Sequence, residues 1–123
     1  MIANLGLGNL FIECADPVRA RDFYAELGGW ERRTLWELPA LATPEGLVVL
    51  FSGTDTPYAR VTWPGVPGEQ QQQMHLDFQV DDVPEAVAEA VRLGATRPEA
   101  QYGGTDFVTL LDPEGHPFCL CQR

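Results

Sequence analysis

The chain has 123 residues, enough for one domain with a single core and no covalent staples. Eighteen acids against eight bases, every base an arginine, leave a net charge of -10, which excludes a basic stripe for nucleic acid and disfavours an anionic membrane surface. The absence of lysine removes Schiff-base chemistry, and a start without a basic leader or an apolar run of about 20 residues leads us to expect a cytoplasmic chain.

Residues 8–14 alternate as a strand, and Asp16-Pro17 then supplies an N-cap with proline at the first helical position. Ala20, Phe23, Tyr24 and Leu27 recur at helical spacing until Gly28 and Gly29 stop the helix. Three short strands are expected near 30–37, 39–42 and 47–52. Gly53–Gln73 carries three prolines, Tyr58, Arg60, Trp63 and four successive glutamines. It exceeds the roughly 12–15 residues usual for an unstructured connection, so it reads as a lid or an arm. Trp63 either walls a ligand or packs the linker onto the fold.

Met74–Asp82 is the most informative segment. Strand alternation sends Leu76, Phe78 and Val80 to one face and His75, Asp77 and Gln79 to the other. The apolar face wants a core; the polar one suits the floor of a cup or plain solvent. Asp82-Val83-Pro84-Glu85 is a capping-box pattern, Val83, Val87, Ala90 and Val91 or Leu93 form an apolar helix side, and Gly94 closes it. Strands near 96–101, 106–111 and 117–121 follow. Asp112-Pro113-Glu114-Gly115 reads as a turn with Glu114 solvated, like Glu45 in the first half. By parity His116 faces with Phe118 and Leu120, away from Cys119, which indicates a structural role. Cys14, Cys119 and Cys121 are an odd set, and the last two share a strand face, so no disulfide framework is expected.

The two halves repeat. A shift of 66 lays Leu10, Asp16, Ala20, Leu27 and Gly28 on Leu76, Asp82, Ala86, Leu93 and Gly94; a shift of 69 lays Leu41, Pro44, Glu45 and Gly46 on Leu110, Pro113, Glu114 and Gly115. The expected fold is therefore α+β: a single domain of two βαβββ modules, 1–52 and 74–123, joined by a linker, 53–73, with a curled mixed sheet around a cup.

This duplicated plan, with His75 on a strand and the run Asp112-Pro113-Glu114-Gly115-His116-Pro117-Phe118-Cys119-Leu120, resembles the vicinal oxygen chelate superfamily of glyoxalases, bleomycin-resistance proteins and extradiol dioxygenases. Thr62-Trp63-Pro64 and Gln73-Met74-His75-Leu76-Asp77-Phe78 are similar to glyoxalase-like proteins common in actinobacteria. The resemblance implies a divalent metal held by four side chains in catalytic members, at positions that the repeat aligns with Asn9, Leu50, His75 and Cys119. Only His75 is a usual ligand there; Leu50 has no lone pair, Asn9 is a weak neutral donor, and Cys119 favours a soft ion. A shifted set of His75, Asp77, Glu13 and Cys119 is the alternative, while Cys119 also reads as a small buried hydrophobe.

The expectation is a small-molecule-binding protein without the complete metal site. Asn9, Phe11, Glu13, Leu50, His75, Asp77, Gln79 and Cys119 would line the cup, with Trp63 capping it. No cofactor is expected, with a divalent metal as the open alternative. The competing reading is an enzyme, either a metal-dependent lyase, isomerase or dioxygenase, or a metal-free one using His75 and Asp77 as acid and base. The resemblance also implies a homodimer.

Overall fold

In a computed structural model, which describes all 123 residues, the opening alternation becomes strand β1 (Asn9–Glu13), and Asp16 caps helix α1 (Pro17–Gly28) by accepting the Arg19 N–H at 3.1 Å. The helix ends where Gly29 takes the left-handed conformation, φ 65°, that a side chain would resist. Strands β2 (Glu31–Leu35), β3 (Leu38–Ala42) and β4 (Val48–Ser52) complete a four-stranded sheet in the order β1-β4-β3-β2, in which only β1 and β4 run parallel. Phe23 and Tyr24 of α1 are buried with Leu41 and Phe51 of the sheet, and Tyr24 stacks on Phe51 at 6.0 Å. Each such side chain contributes about 1.5–3 kcal/mol by leaving water. Arg32 of β2 reaches back to Asp22 of the helix at 3.0 Å.

The β2–β3 hairpin turns on Trp36 and Glu37, both at positive φ, 51° and 63°. Two successive left-handed residues make the tight turn that matches strand twist, a conformation that normally selects Asn and Gly.

The second unit follows the same logic. Strand β5 (Leu76–Val80) leads through Asp82, which accepts the Glu85 N–H at 2.9 Å, into helix α2 (Val83–Leu93), closed by Gly94 at φ 119°. Val83, Val87 and Ala90 are buried and Leu93 is half-buried, whereas Val91 is exposed. Strands β6 (Phe107–Leu111) and β7 (Pro117–Gln122) form an antiparallel pair, and β5 joins β7 in parallel, giving the order β5-β7-β6. Two compact units result, Met1–Thr56 and Pro57–Arg123, so residues 57–73 group with the second. The fold is α+β, with two open mixed sheets and one helix in each unit.

The repeat survives at the level of strand register. Leu10 pairs with Val49 as Leu76 pairs with Phe118, and Phe11 with Leu50 as Asp77 with Cys119, so shifts of 66 and 69 carry one ladder onto the other. Leu41 opposite Val49 likewise matches Leu110 opposite Phe118.

Two expectations need correction. The strand anticipated near 96–101 is a single bridge, Thr96 to Leu111. Pro98 cannot continue a ladder, and beyond it the side chain of Gln101 takes over, accepting the Thr109 N–H at 2.9 Å and donating to the Thr109 C=O at 2.8 Å. Glu114 is buried, at 4% exposure, rather than solvated. Its turn is covered by the segment before β5: the Tyr58 hydroxyl donates to the Glu114 C=O at 2.9 Å, and the Arg60 guanidinium donates to the Pro113 C=O at 3.0 Å. That guanidinium lies over Gly115, with its Nε 2.9 Å from where a Cβ would stand, so a side chain there would have to displace it.

Candidate functional site

The register of the second sheet sorts its side chains into two faces. Leu76, Phe78, Phe118, Leu120, Val108 and Leu110 share one, and α2 packs against β6 and β7. The other face carries Asp77 and Gln79 on β5, Cys119 and Cys121 on β7, and Phe107 and Thr109 on β6, with His75 just before β5.

On this face His75, Asp77 and Cys119 converge: one donor atom from each lies within 4.8 Å of the others. The His75 Nε2 is 3.2 Å from an Asp77 carboxylate oxygen, with both side chains about half exposed, while Cys119 is buried. Beneath them the Thr109 hydroxyl is 3.3 Å from the Cys119 sulfur. Burial pushes the Cys119 thiol above its ordinary range, the Thr109 hydrogen bond opposes this, and the Asp77 charge adds to it. Cys121 is raised as well, by burial and then by Asp77 and Cys119. Gln79 lies one step further along the same face and is exposed.

The corresponding face of the first sheet is chemically different. Asn9, Phe11 and Glu13 alternate on β1, and Leu50, in register between Phe11 and Ala40, is fully buried. Phe11 is exposed and lies parallel to the exposed Trp36 ring, 9° between planes with centroids 6.4 Å apart. Trp63 is half-buried in the second unit, where its ring meets Tyr102 edge-on at 5.9 Å.

Sequence reasoning passed over Thr109, Gln101, Tyr102 and Trp36. Thr109 was legible: the shift of 69 lays Ala40, the β3 neighbour of Leu50, on it. Trp36 carried no such signal, because a Trp-Glu pair is not the residue pattern of a tight hairpin.

Residues 9–121 match the protein family described as the glyoxalase-like domain. The chain belongs to that family. Solved structures agree on the fold: a glyoxalase/bleomycin resistance protein/dioxygenase family enzyme from Burkholderia phytofirmans superimposes with a TM-score of 0.71 at 21% identity, covering 96% of this chain and 98% of that one. A glyoxalase-related enzyme from Fulvimarina pelagi gives 0.68 at 16% identity, over 96% and 88% of the two chains. A glyoxalase/bleomycin resistance protein from Albidiferax ferrireducens gives 0.64 at 18%, over 95% and 98%. No protein of curated function matches the sequence significantly. No helix of this glyoxalase-like chain is long and apolar enough to cross a membrane.

The four-donor metal site implied by the superfamily does not fit these residues. Leu50 offers no lone pair and is fully buried, and Asn9 is a neutral amide on the same face. In this glyoxalase-like domain the donors that cluster, His75, Asp77 and Cys119, all belong to the second unit, where Asp77 and Cys119 stand at the repeat positions that Phe11 and Leu50 hold in the first; Glu13 of the shifted set lies on β1 of the first unit.

Proposed function

We propose that this glyoxalase-like protein binds a small organic molecule on the His75, Asp77 and Gln79 face of its second sheet, and that it lacks the superfamily's four-donor chelate. The observation that carries the reading is the pairing of His75 with Asp77 at 3.2 Å, half open to solvent above a buried floor of Cys119 and Thr109. A few placed polar groups beside apolar and aromatic surface are what small-molecule sites use. The Asp77 carboxylate and the net charge of -10 favour a neutral or cationic ligand over a phosphorylated one. Trp63, held against Tyr102, is assigned as an aromatic wall of that face.

The same 3.2 Å contact favours a second reading, an acid–base enzyme in which Asp77 orients His75 for proton transfer. We also assign the protein to the actinobacterial branch of the family, on Thr62-Trp63-Pro64 and Gln73–Phe78. Three free cysteines accord with a reducing cytoplasm, and a two-fold homodimer is the proposed assembly.

The test is a ligand-observed NMR screen of neutral and cationic metabolite-sized compounds, run with a chelator present, on the wild type, His75→Ala and Asp77→Ala. Binding compounds should lose their signal with both variants, while stability changes by less than about 0.5 kcal/mol, as for other exposed substitutions. Compounds that bind both variants as well as wild type would sink the assignment.

A further inference from the structure

We infer that His75, Asp77 and Cys119 form a thiophilic metal site that takes Zn2+ in preference to hard divalent ions. The inference rests on the reading of this face as the binding face and specifies what it holds besides an organic ligand. Imidazole nitrogen, carboxylate oxygen and thiolate sulfur are the three donor types that zinc accepts. Magnesium and calcium call for oxygen shells, which a thiolate does not supply.

The geometry is close to what a tetrahedral ion needs. Bonds of about 2.0–2.3 Å put tetrahedral donors roughly 3.3–3.8 Å apart. The three donor atoms here lie within 4.8 Å of one another, and the nitrogen–oxygen pair is already at 3.2 Å. His75 and Asp77 are exposed and turn without disturbing a core, whereas Cys119 is fixed by burial in β7. Two mobile donors thus face one fixed one.

An outer layer is also in place. The Thr109 hydroxyl, 3.3 Å from the sulfur, is positioned to donate to a thiolate, and Thr109 is itself locked by the two hydrogen bonds to the Gln101 amide. Three protein donors leave the fourth tetrahedral position to water or to a donor atom of the bound molecule. The site is complete within one unit and uses no residue of the first.

The test is Zn2+ titration of the full chain under reducing conditions against a competing chromophoric chelator, with Co2+ as a spectroscopic stand-in. One Zn2+ per chain is expected, with Mg2+ failing to compete, and a thiolate-to-Co2+ charge-transfer band. His75→Ala and Cys119→Ser should each weaken Zn2+ binding by more than about tenfold, the low end of what even outer-layer changes cost, and Cys119→Ser should abolish the band. Cys14→Ser and Cys121→Ser should leave both unchanged. His75 is exposed, so its variant tests the site if Cys119→Ser fails to fold. Zn2+ uptake that is no weaker in His75→Ala, or a Co2+ complex without the thiolate band, overturns the inference. Organic compounds that bind the chelator-treated protein while zinc fails would leave the binding face standing and remove only the metal.

Discussion

Gln101 and Thr109 are joined by reciprocal hydrogen bonds, the side-chain amide of one meeting the backbone N–H and C=O of the other at 2.9 and 2.8 Å. A side chain thereby occupies the edge of β6 where the first unit has a strand. Gln101→Ala should cost about 1–2 kcal/mol, because it leaves both groups of a buried residue unmatched. Urea denaturation reads this directly, and an unchanged midpoint would mean that water satisfies the edge equally well.

Asp112 is the most consequential buried acid. At 1% exposure it accepts the backbone N–H groups of Glu114 and His116 and faces the His116 Nδ1 at 2.8 Å. Asp112→Ala should cost about 2–4 kcal/mol through stranded donors, and Tyr58→Phe about 1 kcal/mol through the hydroxyl given to Glu114. Equal losses in the two variants would contradict this ranking.

Alkaline stability should depend on Cys119. Its folded pKa lies above the ordinary 9.0, so the folded chain holds the proton after the unfolded chain has released it. The stabilisation is fully present below the unfolded pKa and is lost as pH rises above about 9 towards the folded value. Cys119→Ser should flatten the stability profile above pH 9 while leaving its slope at pH 7 unchanged. A wild-type profile that stays flat above pH 9 would contradict the shift.

The β2–β3 turn stores strain that a glycine would relieve. Glu37 has φ 63°, so Glu37→Gly should stabilise the chain by about 0.5–1 kcal/mol, net of the extra freedom given to the unfolded state. A lowered melting temperature would show that the Glu37 side chain compensates for its backbone.

Much of this architecture was legible in the residues. Asp16 and Asp82 announce both helices because a capping carboxylate and a following proline act locally. The repeat offsets anticipate the strand register, because shared spacing implies shared pairing. The strand near 96–101 was misjudged because its edge is satisfied by a side chain, which alternation does not reveal. Glu114 was misjudged because its burial comes from Tyr58 and Arg60, more than fifty residues earlier. His75, Asp77 and Gln79 were placed on one face by parity alone, and the superfamily resemblance grouped Cys119 and Glu13 with His75 and Asp77; that Cys119 stands directly opposite Asp77 is fixed by the register of the parallel pair, and Glu13 is not in the cluster.

That parallel pairing also separates what is local on this face from what is long-range. β6 and β7 are joined by a short turn and can zip locally, carrying Thr109 and Cys119 into place together. β5 reaches β7 only by closing a loop from Leu76 to Phe118 that includes all of α2, and such distant contacts form slowly. The sulfur's surroundings thus need only a local hairpin, whereas bringing the imidazole and carboxylate to them needs the long-range β5–β7 pairing, so the chemistry of this face is absent from any chain in which β5 is free.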